Sequence, residues 1–386
     1  MWNLVRRTRV SWLMPPRDLY IDRLRTALTA LVVVFHAAIT YGASGGWFYY
    51  ELKPSATISS LLMTMFCGTN QAYFMGFFFL LAGYFTPPAY DRKGIYGFFR
   101  DRLIRLGIPL FVYSVAIGPL TIALAQMSNG KQFTDTLARL FNRGQIEVGP
   151  MWFVEALLIF SAAYAVLRLA RPPQTPQSEP AAVPLPRGTS FVAAALVVAL
   201  IAFAIRLEIP VGENVFGLQL GYFSSYIVLF AAGCAAWNGR RLERIDAQLE
   251  RRWRRVTWVT LPVLFAYAIA AGALSGAKVD VRGGWNVASA IYALWEPFVA
   301  WGIILSLLWR FRARWNVKTS WSGRLTPCAY GAYIIHPPVV VALSFLAHDW
   351  PVPAIVKFLL VASGAGAISF AIGGLLLKLP GARRVL

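Results

Sequence analysis

The sequence predicts an all-α, polytopic membrane helix bundle of about ten transmembrane helices, with both termini cytoplasmic. Three observations predict it. Of 386 residues, 58% are hydrophobic and only 14% are charged, where an ordinary soluble domain carries about 25% charge. The apolar residues fall in continuous runs of near-membrane length, not in the alternating pattern of a barrel strand. The basic residues lie between those runs and alternate in density from one crossing to the next. Hydrocarbon offers the backbone no water, so only helices or closed barrels span it, and continuous runs select helices.

Taken in order, residues 1–19 are basic, with no apolar core and no small-residue cleavage site. They read as a cytoplasmic tail, not a cleaved signal. Residues 20–386 read as one membrane domain. Its expected spans are 24–43, 62–86, 106–125, 150–168, 190–206, 220–237, 257–273, 287–309, 325–346 and 353–377. The Pro-rich segment 172–188 is a cytoplasmic linker within it. With the N-terminus inside, the cytoplasmic ends collect the clusters around Arg25, Arg102, Arg171, Arg251 and Arg312. The opposite side holds only Lys53, Lys131, Arg139, Arg143, Arg206, Lys278, Arg282 and Lys357. The net charge of +20 thus follows topology. It is not gathered on a soluble face, so nucleic acid is not an expected partner. Anionic lipid headgroups are. Cys67, Cys234 and Cys328 stand singly without metal-ligand spacing and read as packing residues.

Four constellations can carry chemistry. In the first span, Asp22 and Arg25 stand at the mouth of a run that contains His36. Arg25 and His36 lie roughly 16 Å apart along a helix and nearly on one face. Asp22 and Arg25 alone would be ordinary flanking charges. An imidazole at that depth is costly unless protein or water surrounds it, and so is a functional candidate, although such a residue can also simply hydrogen-bond between helices. In the ninth span, Tyr333 and His336 share a face. Pro337 and Pro338 follow and free helical carbonyls that need partners; a kinked helix with a packing histidine is the plain alternative. Glu155 and Glu296 are intramembrane carboxylates, able to orient an imidazole or to serve as structural partners. Arg102 and Arg105 mark the cytoplasmic mouth of the third span, as topology signals or as a grip for an anionic ligand.

Together these pieces resemble the acyltransferase-3 family of integral membrane O-acyltransferases, which includes bacterial glucan- and polysaccharide-modifying enzymes. The resemblance is carried by several motifs in order: Arg25 and His36 in YIDRLRTALTALVVVFHA; Phe77–Phe85, FFFLLAGYF; Arg102, Arg105 and Pro109; Met151–Glu155, MWFVE; and Tyr330–His336, YGAYIIH. Two departures stand out. Ala82 replaces an expected serine before Gly83, and Trp152 lies closer to Glu155 than in the branch with a fourth-span carboxylate pair.

The resemblance implies a bacterial inner-membrane enzyme that moves an acyl group from acyl-CoA, a co-substrate, to a hydroxyl of an envelope glycan or small acceptor. No tightly bound cofactor or metal is expected, and the transfer finishes within the membrane domain. On this reading Arg25, Arg102, Arg105 and Asp22 form the donor end. His36 acts as catalytic base or transient acyl carrier, and Tyr333, His336 and Glu155 are its neighbours. The competing class is a transporter or flippase of a lipid-linked sugar or acylated molecule, which places similar groups in spans. A visible inverted repeat would favour it, and the sequence shows none. A scaffold whose polar residues only join helices is the third reading.

Overall fold

The computed structural model describes residues 19–386 apart from 171–185, 187, 278 and 318. The basic tail before Leu19 and the Pro-rich linker, save Pro186 and Gly188, therefore lie outside the described residues. Among those described there is no β-strand. Two isolated bridges pair Tyr41 with Leu52 and Val215 with Leu218.

The long helices are α1 (Leu19–Thr40), α2 (Ile58–Arg102), α6 (Trp152–Leu169), α7 (Gly188–Glu208), α8 (Phe223–Trp237), α9 (Ala247–Ala270), α10 (Val287–Trp315), α11 (Ser320–Leu346) and α12 (Ala354–Leu376). Shorter pieces are α3 (Ile108–Val112), α4 (Gly118–Met127), α5 (Phe133–Asn142) and α13 (Ala382–Val385). Several starts follow from a capping side chain just before the helix. Asp246 accepts from the Leu249 amide at 2.7 Å, and Asn286 from the Ser289 amide at 2.8 Å.

Among the described residues, eight helical runs are long and apolar enough to cross a membrane, so the molecule is a multi-pass helix bundle. One of these runs, Ile58–Met127, is 70 residues long and holds both the second and the third expected spans. At about 1.5 Å per residue it is far longer than one bilayer. It turns at Gly94 (φ 64°, ψ 176°), where the chain needs a backbone that L residues avoid. The expected span without a counterpart among the eight is that of α9, whose first half carries Glu250, Arg251, Arg252, Arg254 and Arg255, leaving a short apolar remainder.

The run Leu103–Met127 alternates π-turns (Leu103–Gly107 and Tyr113–Ile117) with α3 and α4. Pro109 and Pro119 follow these turns and withhold amide donors there.

α1 is the inner post of the bundle, in contact with α2, α10, α11 and α12. Its Leu24, Leu28, Val32, Val33, Ala37 and Ala38 are buried among them. Lipid is as apolar as these side chains, so close packing holds the helices together. Small residues permit that approach at two crossings. A Cβ on Gly83 would lie 2.2 Å from the Phe230 carbonyl oxygen, and one on Gly233 2.1 Å from that of Leu80, which closes α2 on α8. Gly331 of α11 meets Gly373 of α12 in the same way.

The segment between α1 and α2 folds back over the Thr40 end of α1. The Glu51 and Leu52 amides donate to the Thr40 carbonyl at 2.9 and 3.2 Å, and Ser60 Oγ donates to the Gly42 carbonyl at 2.5 Å. Glu51 is tied to Lys357 of α12 by a buried ion pair of 2.5 Å. Lys357 also donates to the His348 carbonyl, and the His348 ring meets the Tyr49 hydroxyl at 3.2 Å. The exposed His348 is therefore a strut for this segment.

Candidate active site

The site begins with a missing amide. Pro337 has no N–H, so the Tyr333 carbonyl one turn earlier lacks its usual helical partner. His336 Nδ1 takes that carbonyl at 2.6 Å. A carbonyl only accepts, so His336 carries its proton on Nδ1. Its Nε2 is then an acceptor in the neutral ring. That atom lies 3.0 Å from His36 Nδ1 on α1, which must donate. The chain of bonds leaves the lone pair of neutral His36 on Nε2. His336 is wholly buried (0% exposed), whereas His36 keeps part of its surface accessible. The arrangement is a histidine held in one tautomer by a second histidine, itself held by a backbone oxygen.

Aromatic rings fix the pair laterally. Trp47, from the folded-back segment, stacks on His36 with centroids 3.9 Å apart and planes 15° from parallel. Its backbone amide donates to the Tyr50 hydroxyl at 2.7 Å, and that hydroxyl donates to the Gly45 carbonyl at 3.0 Å. Trp47 Nε1 is buried without a hydrogen-bond partner among the described residues. The Tyr333 ring lies 5.8 Å from that of His336, and its hydroxyl donates to the Pro150 carbonyl. Tyr333 therefore ties α11 to the turn that leads into α6.

The arginines Arg25, Arg102 and Arg105 come near one another at the other end of α1. The charges of Arg25 and Arg105 both bear on Arg102. Arg102 Nη2 donates to Thr86 Oγ1 at 3.2 Å, its guanidinium lies 5.1 Å from the Phe98 ring centre, and its Nε is buried without a partner. Arg105 pairs with Asp101 at 3.5 Å. Its carbonyl, freed by Pro109, accepts from the Tyr330 hydroxyl at 2.9 Å. Arg25 and Arg105 are exposed. Asp22 is half-buried in the first turn of α1, where a carboxylate suits the positive helix end. Arg25 and His36 thus occupy successive levels along α1, as Tyr330 and His336 do along α11.

Glu155 and Glu296 stand apart from this pair. Glu155 Oε2 is buried without a hydrogen-bond partner among the described residues and faces Gly217, whose Cβ position lies 3.5 Å away. No bond found among the described residues joins it to either histidine. Glu296 is the structural alternative: it pairs with Arg206 at 2.5 Å, both wholly buried, with the guanidinium 5.3 and 4.9 Å from the Tyr222 and Tyr292 ring centres. Removing one partner of such a pair typically costs about 3–5 kcal/mol, because a bare charge is left behind.

Sequence reasoning missed Trp47 and the Pro150 carbonyl. The run Trp47-Phe48-Tyr49-Tyr50 in a polar connection was the available signal for the first. A backbone carbonyl has no sequence signal. Among the described residues no group of three or more His, Cys, Asp or Glu could hold a metal ion.

Comparison with known proteins gives the following. A family model described as an acyltransferase domain matches residues 18–377. Glucans biosynthesis protein C of Salmonella paratyphi A is 24% identical over 178 residues, 45% of this chain and 45% of that protein. The protein of that name from Escherichia coli O6:K15:H31 is 25% identical over 152 residues, 38% of this chain and 37% of its own. That of Salmonella heidelberg is 28% identical over 95 residues, 25% and 23% respectively. The matched stretches span less than half of these relatives. No solved structure matches.

Proposed function

The chain belongs to the acyltransferase domain family matched across residues 18–377, and from that premise we propose that it moves an acyl group from cytosolic acyl-CoA to a hydroxyl of an envelope glycan at the bacterial inner membrane. The observation that carries the chemistry is the His36–His336 contact of 3.0 Å, whose tautomers are set by the Tyr333 carbonyl. The glycan acceptor rests on the printed name of the partly matched relatives.

Acyl-CoA carries phosphates, and the guanidinium groups of Arg25, Arg102 and Arg105 suit them. With the phosphates at that end, the pantetheine arm runs along α1 toward His36. The acceptor hydroxyl attacks the thioester carbonyl while His36 Nε2 removes its proton. A C–O bond forms and the C–S bond breaks. The proton passes from the imidazolium to the departing thiolate. His336 Nε2, accepting from His36 Nδ1–H, stabilises the imidazolium in between. Trp47 Nε1–H, buried and unpartnered, is available to the oxyanion of the tetrahedral intermediate. The same free Nε2 suits the alternative route in which His36 first takes the acyl group and then passes it on.

Mass spectrometry of envelope glycans from cells with and without the gene tests the reading. Loss of one ester mass in the deleted strain, restored by the wild-type chain but not by His36→Ala, is the expected result. An unchanged acyl profile overturns it.

A further inference from the structure

The end of the bundle opposite Arg25 has few cations, and several are already committed. Arg206 pairs with Glu296, Lys357 with Glu51, and Arg282 with Asp280 at 2.9 Å. Lys131, Arg139 and Arg143 are different. They line one cavity of about 280 Å³ together with Ile122, Gln126 and Gln145. Among the described residues no carboxylate pairs with them. Arg139 Nη2 reaches only Thr136 Oγ1, at 3.4 Å. Asp135, one turn before Arg139, instead accepts from the Thr134 hydroxyl at 3.5 Å. The backbone holds the frame: the Lys131 amide donates to the Gln126 carbonyl at 3.3 Å, and the Gln145 amide to that of Leu140 at 3.0 Å.

We propose that this cavity binds the phosphate of an anionic phospholipid headgroup. Two guanidinium forks and an ammonium converging with two carboxamides suit a tetrahedral anion. The surroundings select a lipid over a free phosphate. α4 belongs to a membrane-spanning run that ends at Met127, so the cavity sits where that run leaves the bilayer. α5 is amphipathic, with Thr136 and Leu140 buried against its neighbours. On the same connection Phe141 is 54% exposed and Ile146 66% exposed. Apolar side chains beside cations that no carboxylate neutralises are the pattern of a segment lying at headgroup level. This inference is independent of the acyl-transfer reading and of its histidines.

The test is native mass spectrometry of the full chain released from micelles doped with phosphatidylglycerol or phosphatidylcholine. The wild-type chain should retain phosphatidylglycerol in clear preference. Arg139→Gln/Arg143→Gln should weaken that retention about tenfold or more, since each basic residue near an anionic surface counts separately. Arg282→Gln, which removes a cation already paired with Asp280, should leave it unchanged. If the double variant loses its melting transition, Lys131→Gln gives the same readout from a turn outside any helix. Equal retention by wild type and a folded cavity variant overturns the proposal. So does displacement of the lipid by free glycerol phosphate at equal concentration, which would mark a soluble-anion site.

Discussion

His36 Nδ1 and His336 Nε2 meet at 3.0 Å across 300 positions of sequence. The bond is directional, because the Tyr333 carbonyl obliges His336 to donate from Nδ1. With His36 as the base of the proposed transfer, turnover should fall about 10²- to 10⁴-fold when it is replaced by alanine. In that proposal His336 acts through His36. His336→Gln keeps an oxygen that can accept from His36 Nδ1, while His336→Leu does not. Turnover should therefore fall further in the leucine variant, with KM for the donor nearly constant and the acid limb of the pH–rate profile displaced. Identical losses and an unmoved profile in both would reduce His336 to packing.

Tyr333 offers a sharper test of role. Its hydroxyl is spent on the Pro150 carbonyl. Tyr333→Phe should cost about 1 kcal/mol of stability and less than about tenfold in rate. Pro337→Ala should do more harm than its size suggests. It restores an amide that competes with His336 for the Tyr333 carbonyl. A rate drop greater for Pro337→Ala than for Tyr333→Phe, at similar melting temperature, is the expected order. The reverse order would assign the hydroxyl directly to the chemistry.

The sequence made the ingredients of this site legible and left their geometry hidden. His36 and His336 stand out because an imidazole in an apolar run is costly. Pro337 announces a freed carbonyl. That His336 itself takes that carbonyl, and so sets the tautomer of His36, needs α1 and α11 side by side. Trp47 lies in a connection where neither periodicity nor depth marks it, and only the folding back of residues 41–57 lays it on His36. Arg206 reads as an outer-edge cation and proves wholly buried, because Glu296 on a distant span neutralises it. The break expected between the second and third spans falls at Gly94, whose non-helical backbone (φ 64°, ψ 176°) separates two helices.

The cation cluster predicts a split in kinetic constants. Arg25→Ala and Arg102→Ala should each raise KM for acyl-CoA about tenfold, the value of a charge-assisted bond to phosphate. Turnover at saturation should change little, since neither residue reaches the histidine level. Added salt should raise KM in the wild type more than in either variant. Unaltered affinity for CoA in both variants would remove the cytosolic donor site from this end of the bundle.

Glu147 predicts a pH dependence of stability. It lies in the connection after α5, outside the spans, where its Oε1 accepts from the Gly149 amide at 2.8 Å. Burial raises its carboxyl above the ordinary value, against the pull of that amide. The folded state thus holds the proton more tightly than the unfolded state does. Stability should fall as pH rises from the unfolded carboxyl value, about 4.3, through the raised folded value, and then level off. Glu147→Gln keeps an acceptor for Gly149 and carries no charge. Its melting temperature should exceed that of the wild type at pH 8, and the two curves should converge near pH 4. Parallel curves across that range would show that the carboxyl is solvated.

Trp47 separates stacking from hydrogen bonding within one side chain. The indole lies flat on His36 at 3.9 Å, and its buried Nε1–H meets no acceptor among the described residues. A buried donor left idle is costly unless a ligand satisfies it. Trp47→Phe keeps an aromatic face against His36 and deletes only the donor. If the donor serves the oxyanion, turnover should fall about 10²-fold, while donor KM and melting temperature stay near wild type. Trp47→Leu removes both functions and should also loosen His36, adding a loss of stability. Full turnover in Trp47→Phe would leave the ring as a lateral wall for His36 and place oxyanion stabilisation elsewhere in the site.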